Sequence, residues 1–391
     1  MPILDADVAI CLGPDGPESS GPTPMTAPIV QTSLFAYPDF RSLVDALAAE
    51  RREPVYSRGR NPTVVALERK LAALERGDAC TAFGSGMAAI SAALLGLLES
   101  GDHVLFVNHT YGPTLQLARE LGRFGIRHDV ALDGTVGGVE RALRPETRLV
   151  WLESPGTMMF RTVDVAGIAA LASSHGALSC MDNSWATPLF QKPLEAGVDV
   201  VVHSATKYLA GHSDLVAGAL VTREDLHERI YARAFLLNGG ILGPFDAWLL
   251  LRGLRTLPAR LAEHERDALE VARFLAEHPA VTRVHHPGLG DGDPDGDPVS
   301  PTLTGTSGLF SFELRRATFD GVAAVIDGLE RFRIGVSWGG VESLVISPER
   351  DPDGSDLAAR GLPRGLIRLS VGLEGPDALI ADLERALERA G

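Results

Sequence analysis

The chain has 391 residues, 45% of them apolar, and a formal net charge of -15, enough for one large domain and a smaller one around a sizeable core. The acidic balance argues against general binding to nucleic acid or to an anionic membrane, since both need a basic face. Cys11, Cys80 and Cys180 are too few and too widely spaced for a disulfide framework or a zinc site, which fits a reducing, cytoplasmic setting. The short apolar stretch from Val8 to Leu12 runs into Gly, Pro and acids, unlike a signal peptide. Longer runs such as Met87 to Leu98 are broken by Gly, so a soluble protein without a membrane span is expected.

In chain order, residues 1–53 begin Pro/Gly/Ser-rich and continue into an amphipathic segment, Phe40 to Glu50, which reads as an N-terminal arm. From about residue 77 the pattern alternates. Helices are predicted from Gly86 to Glu99, from Pro113, and from Asp164 to His175 with Gly176 as terminator. Strands are predicted at Asp102 to Val107, Ile126 to Val130, Arg148 to Leu152, Ala177 to Met181 and Val198 to His203. Near-continuous apolar strands between helices predict an α/β domain, with a mostly parallel central sheet and helices on both faces. After Pro244 a long helical stretch runs towards His278 and leads into a smaller α+β C-terminal domain. That domain has strands at Gly308 to Glu313 and Leu366 to Ser370 and a final helix from Pro376 to Arg389. The expected division is 1–53, 54–245 and 246–391. His286 to Ser300, a run of Gly, Pro and Asp, reads as a mobile acidic surface loop.

Only three lysines occur, Lys70, Lys192 and Lys207. Lys207 closes Ser204-Ala205-Thr206-Lys207 at the end of an apolar strand, and a lysine kept in an arginine-rich chain points to amine chemistry, namely Schiff-base formation with pyridoxal phosphate. The neighbouring strand ends at Asp182. Ligands of open α/β sheets sit outside the carboxyl ends of the strands, so an acid and an amine from adjacent strand ends would hold opposite sides of one pyridine ring. Taken alone, Asp182 has an equally ordinary role as a turn cap. The turn Phe83-Gly84-Ser85-Gly86-Met87 leads into an Ala-rich helix whose free amides suit a phosphate, though such a turn is more often only tight. Ser204 and Thr206 would add hydroxyl donors, and Tyr111 follows a strand end where it would stack on the ring or merely pack.

From about Tyr56 to the C-terminus the chain resembles the Cys/Met-metabolism, or trans-sulfuration, branch of the fold type I pyridoxal-phosphate enzymes. The resemblance lies in Tyr56-Ser57-Arg58-Gly59-Arg60-Asn61-Pro62-Thr63, Ser85-Gly86-Met87, Asp182-Asn183-Ser184-Trp185, Ser204-Ala205-Thr206-Lys207-Tyr208 and Arg368-Leu369-Ser370-Val371-Gly372. It implies that Lys207 carries the cofactor, that Asp182 pairs with its ring nitrogen, and that Gly86, Met87, Ser204 and Thr206 hold its phosphate. It also implies that Tyr56 and Arg58 reach the phosphate site of a neighbouring subunit, in a homotetramer built from two catalytic dimers. Arg368 matches the arginine that grips the substrate α-carboxylate, with Ser337 and Trp338 beside it.

Within that branch, Glu153-Ser154-Pro155-Gly156, Ser337-Trp338-Gly339-Gly340 and Ser307 to Phe312 resemble bacterial cystathionine beta-lyases, whereas Val336 and Val341 stand where those enzymes often carry tyrosine. The expected activity is β-elimination of L-cystathionine or a related cysteine S-conjugate, with Lys207 as base and Tyr111 acting on the incoming amine or the leaving group. Elimination or replacement at Cγ on the same scaffold, aminotransfer, and a cofactor-binding regulator without turnover are the alternatives.

Overall fold

The computed structural model describes residues 3–15, 24–292, 300–350 and 353–390. Seven strands form the larger sheet: β1 (Ala79–Phe83), β2 (His103–Val107), β3 (Arg127–Ala131), β4 (Thr147–Glu153), β5 (Leu178–Asp182), β6 (Val200–His203) and β7 (Gly218–Thr222). Their order is β1-β7-β6-β5-β4-β2-β3. From β6 to β3 all neighbours are parallel, while β7 runs antiparallel to both β6 and β1.

The helices of this half include α1 (Asp5–Leu12), α2 (Phe40–Ala48), α3 (Pro62–Glu75), α4 (Gly86–Leu97), α5 (Gly112–Leu121), α6 (Val136–Ala142) and α7 (Val165–His175). Alternate strand residues divide between two cores: Phe106, Trp151, Cys180 and Val202 pack with α4, and Val107, Leu152, Met181 and Val201 with α7. Burial on both faces is why these strands read as unbroken apolar runs. Helix ends follow their caps. Asp164 accepts from the Gly167 amide at the start of α7, and Gly176 ends it in the left-handed region at φ 78°.

A second sheet holds β8 (Val281–His285), β9 (Leu309–Leu314), β10 (Arg333–Ile334), β11 (Leu344–Ile346) and β12 (Leu366–Ser370), in the order β10-β11-β12-β9-β8. The helix Pro244–Glu277 contributes Leu250, Leu254, Leu257 and Leu261 to a core shared with Tyr208 and Leu209 of the first half and Phe310, Phe312 and Leu369 of the second sheet. That shared core seats β12 and the 337–340 loop against the segment after β6.

Several sequence expectations need correction. Each strand and helix expected from residue 86 onward lies within a few residues of its expected bounds, whereas α3, β1, β7, α6, β8, β10, β11 and the helices Glu224–Ile230 and Phe319–Gly328 are outside the expected set. The first of these starts at Asn61, which accepts from the Thr63 amide, with Pro62 at the first helical position. The start of the supposed arm is built into its own subunit. α1 packs on α3 and on the Pro244–Glu277 helix. Its Asp7 is fully buried, accepting from Arg76 Nη2 at 2.7 Å and Lys192 Nζ at 2.8 Å. Lys70 closes the segment with bonds to Asp15 at 2.5 Å and to the Gly13 carbonyl at 3.0 Å.

The expected loop from His286 to Ser300 lies partly outside the described residues. Its ends are anchored: Pro287–Gly292 forms tight 3-10 turns, the His286 ring packs on Phe310 at 5.3 Å, and buried Ser300 donates its amide to Thr162. Cys11, Cys80 and Cys180 are buried free thiols. Among the described residues no helix is long and apolar enough to cross a membrane.

Candidate active site

β5 and β6 end side by side, β5 on Asp182 and β6 on His203, so the tight turn Ser204 to Lys207 begins beside Asp182. Lys207 Nζ donates to Ser337 Oγ at 2.5 Å and lies 5.4 Å from the centre of the Trp338 ring. Burial and the neighbouring Arg368 guanidinium push the Lys207 amine down to about 8, against the pull of Asp182. Arg368 reaches in from β12 and donates to the Ser337 carbonyl at 3.0 Å. Burial lowers Arg368 to about 10, which leaves it charged at neutral pH.

The 337–340 loop needs a close approach. Ser337 sits at φ 79°, unusual for a residue with a side chain, and Gly339 at φ 83°. A Cβ on Gly339 would stand 2.8 Å from the Tyr208 amide, so only glycine lets the loop lie on the Lys207 turn. Trp338 packs against Tyr208 with ring centres 5.3 Å apart.

Asp182 Oδ1 accepts from the Ser184 amide at 3.0 Å and from its hydroxyl at 2.6 Å. The same hydroxyl accepts from the Ser204 amide at 2.6 Å, tying the two strand ends together. Burial raises Asp182 above the usual carboxylate range, while Ser184, His203 and Lys207 oppose the rise. Behind the pair, Asn183 and His203 both donate to Oε1 of fully buried Glu75 on α3, at 2.9 and 2.5 Å. One carboxylate oxygen thus fixes the residue after Asp182 and the residue before Ser204.

Tyr111 caps the start of α5, and its amide donates to Oε1 of Glu153 at 2.7 Å. Its phenol is held above its ordinary range by burial, Asp182 and Glu153, with Arg368 opposing. Asp182 and Arg368 act on both Tyr111 and Lys207, so the charges at the end of β5 and on β12 bear on the same two side chains.

At the head of α4, Ser85 caps the Ala88 amide at 3.0 Å, leaving the first-turn amides of Gly86 and Met87 directed out of the helix end. A Cβ on Gly86 would lie 2.9 Å from Ser204 Oγ, so glycine keeps open a cradle between the helix end and the Ser204 turn. The Met87 side chain packs into the core beneath α4. The Thr206 hydroxyl donates to the Ala217 carbonyl at 3.1 Å and accepts from its amide at 2.9 Å, so its proton is used within the turn rather than offered to the cradle.

Tyr56 and Arg58 lie elsewhere. They line an open groove of about 370 Å³ with Gln31, Thr32, Ile241 and Pro244, and the Arg58 guanidinium stands 5.7 Å from the Tyr56 ring. Both are exposed. Within one chain they do not join the Lys207 pocket.

These groups fit pyridoxal phosphate: a half-buried amine, a half-buried acid from the adjacent strand, an arginine suited to a carboxylate, and a glycine-lined helix end suited to a phosphate. Ser184, Glu75 and the Glu153 carboxyl carry as much of the arrangement as the residues singled out from sequence. Their only sequence signal is position next to a strand end or on a helix face, which does not distinguish them from ordinary packing residues.

A model of the Cys/Met metabolism PLP-dependent enzymes matches residues 15–388. The chain is 38% identical over 390 residues to an L-methionine gamma-lyase of Pseudomonas deceptionensis, covering 97% of this chain and 96% of that one. It is 41% identical over 341 residues to the cystathionine beta-lyase MetC of Bacillus subtilis, covering 85% and 86%. The crystal structure of metB from Corynebacterium glutamicum superposes with a TM-score of 0.89 at 30% identity, over 98% of each chain.

Proposed function

Because the chain belongs to the Cys/Met metabolism PLP-dependent enzymes, we propose that it is a carbon–sulfur lyase acting by β-elimination. The substrate is L-cystathionine or a related cysteine S-conjugate, and one water is consumed as a thiol such as homocysteine, pyruvate and ammonia are released. Pyridoxal phosphate, when bound, supplies a protonated pyridine ring that withdraws electrons from Cα of the amino acid. Asp182 is the partner that keeps the ring nitrogen protonated. The amides of Gly86 and Met87 and the Ser204 hydroxyl hold the phosphate, with Thr206 shaping the turn.

Lys207 carries the reading. An amine held down to about 8 is partly unprotonated near neutral pH, so its Nζ takes a proton from Cα. Arg368 binds the substrate α-carboxylate beside Ser337. Tyr111 faces the incoming amine and the departing sulfur, and Trp338 covers Lys207 against water. β-Elimination needs a single base at Cα, and Lys207 supplies it, Lys70 and Lys192 being paired with Asp15 and Asp7. Val336, the neighbour of Ser337 in sequence, and Val341 are exposed apolar side chains.

A second reading, elimination at Cγ, is favoured by the 38% identity to an L-methionine gamma-lyase. Incubating the loaded protein with L-cystathionine separates the two. Pyruvate with homocysteine is expected, and 2-oxobutyrate with cysteine would replace the β-lyase reading by the γ-lyase one. The same proposal includes a cytoplasmic homotetramer of two catalytic dimers, with exposed Tyr56 and Arg58 serving the partner's site, and a domain division near residue 245.

A further inference from the structure

Glu153 closes β4 as the register partner of Asp182 at the end of β5, so the two side chains leave the sheet on the same face. Asp182 is supplied with two donors by Ser184, whereas the Glu153 carboxyl takes the Tyr111 amide at 2.7 Å. The Glu153 carbonyl accepts from Asn108 Nδ2 at 3.1 Å, so one residue grips both ends of the loop from Asn108 to Tyr111. At its far side Tyr111 is fixed as the cap of α5, its carbonyl accepting from the Thr114 amide at 3.0 Å.

We propose that Glu153 is a positioning residue for the reaction, its carboxyl holding the Tyr111 amide and thereby setting where the Tyr111 ring stands over the pocket. This rests on the reading of the Lys207 pocket as the reaction site. Two adjacent carboxyl groups do not both ionise cheaply, and Asp182 has the better donors. Burial and the Asp182 charge accordingly push Glu153 well above the carboxylate range, with the Tyr111 amide only partly opposing. What Tyr111 needs from Glu153 is an acceptor oxygen rather than a charge. Glutamine supplies that oxygen and alanine does not.

The test is a double-mutant cycle between Glu153→Ala and Tyr111→Ala, read in two ways: the affinity of the cofactor-free protein for pyridoxal phosphate, and kcat. Glu153→Ala alone is expected to weaken cofactor affinity about fivefold and lower kcat about tenfold, with less than about a twofold further effect once the Tyr111 ring is gone. Glu153→Gln should recover kcat to within about threefold of the native chain. Losses that multiply in the double variant, Glu153→Ala behaving as the native chain, or Glu153→Gln as damaging as alanine would each overturn the proposal. Should Glu153→Ala not fold, Glu153→Leu takes its place in the cycle. If Lys207→Ala keeps full turnover, the site reading itself fails; an inactive Lys207→Ala beside a multiplicative cycle sinks Glu153 alone.

Discussion

The amine of Lys207 and the hydroxyl of Ser337 stand 2.5 Å apart, although the residues belong to different sheets' connections and are separated by 130 positions in sequence. Ser337 holds that contact in a left-handed backbone conformation at φ 79°, with its carbonyl taken by Arg368. The proposed base and the arginine proposed for the α-carboxylate are therefore aligned through one residue. Ser337→Ala is expected to lower kcat about tenfold, the worth of a hydrogen bond to a charged group, while the cofactor still loads. A full loss of cofactor binding would mean that Ser337 matters for loading rather than for aligning the base.

Lys207→Ala should abolish turnover and remove the visible absorbance of the lysine-bound cofactor. A second effect appears without cofactor. With Lys207 at about 8 when folded against 10.5 when unfolded, the folded chain releases the proton more readily. Charging the lysine therefore costs stability below about pH 8, and the cost fades as pH rises from there to about 10.5. Lys207→Met should melt higher than the native chain at pH 7, by up to about 3 kcal/mol, with the gap closing across that window. Melting curves whose separation ignores pH would contradict the buried, depressed amine.

Ser184 supplies both donors to Asp182 and also ties in the Ser204 amide. Ser184→Ala removes the hydroxyl and lets burial lift Asp182 further. The acidic limb of the kcat profile should then move to higher pH, and cofactor affinity should fall about tenfold. An unmoved limb would show that Asp182 is held by other means.

Asp7 is buried between Arg76 and Lys192. Asp7→Ala leaves Lys192, itself mostly buried, without its counter-charge, at a cost of about 3–5 kcal/mol. Urea unfolding should record that loss while activity per folded molecule holds. A change below about 1 kcal/mol would mean that α1 adds little to the fold.

If Tyr56 and Arg58 serve the partner's pocket, subunits lacking Arg58 and subunits lacking Lys207 should complement. Arg58→Ala and Lys207→Ala, each inactive alone, should regain a fraction of native turnover after mixing and reassociation, since a hybrid dimer contains one site with both residues intact. No recovery in demonstrably mixed dimers would return Arg58 to its own chain.

The α/β alternation, the strand ends at Asp182 and Ser204 and the Pro244 helix were legible in the sequence because two-sided burial writes unbroken apolar strands and caps write helix ends. Lysine scarcity was a weaker guide than it looked. Lys70 and Lys192 are as constrained as Lys207, each tied to a buried acid of the N-terminal segment. What singled out Lys207 was its place after a strand. The antiparallel β7 and the docking of α1 escaped because their partners are distant in sequence and periodicity reports only local burial, whereas α3 does carry a local start signal in Asn61-Pro62.

By itself the sequence determined which groups are present and on which strand ends they fall, since those are local properties of the chain. Only the tertiary structure decided that Ser337 meets Lys207, that Glu75 pins two strand ends through one oxygen, that Glu153 faces Asp182, and that Tyr56 and Arg58 stand apart. Those relations depend on strand order and on the core shared by the two sheets. Residues far apart in the chain reach hydrogen-bonding distance only when that packing places them there.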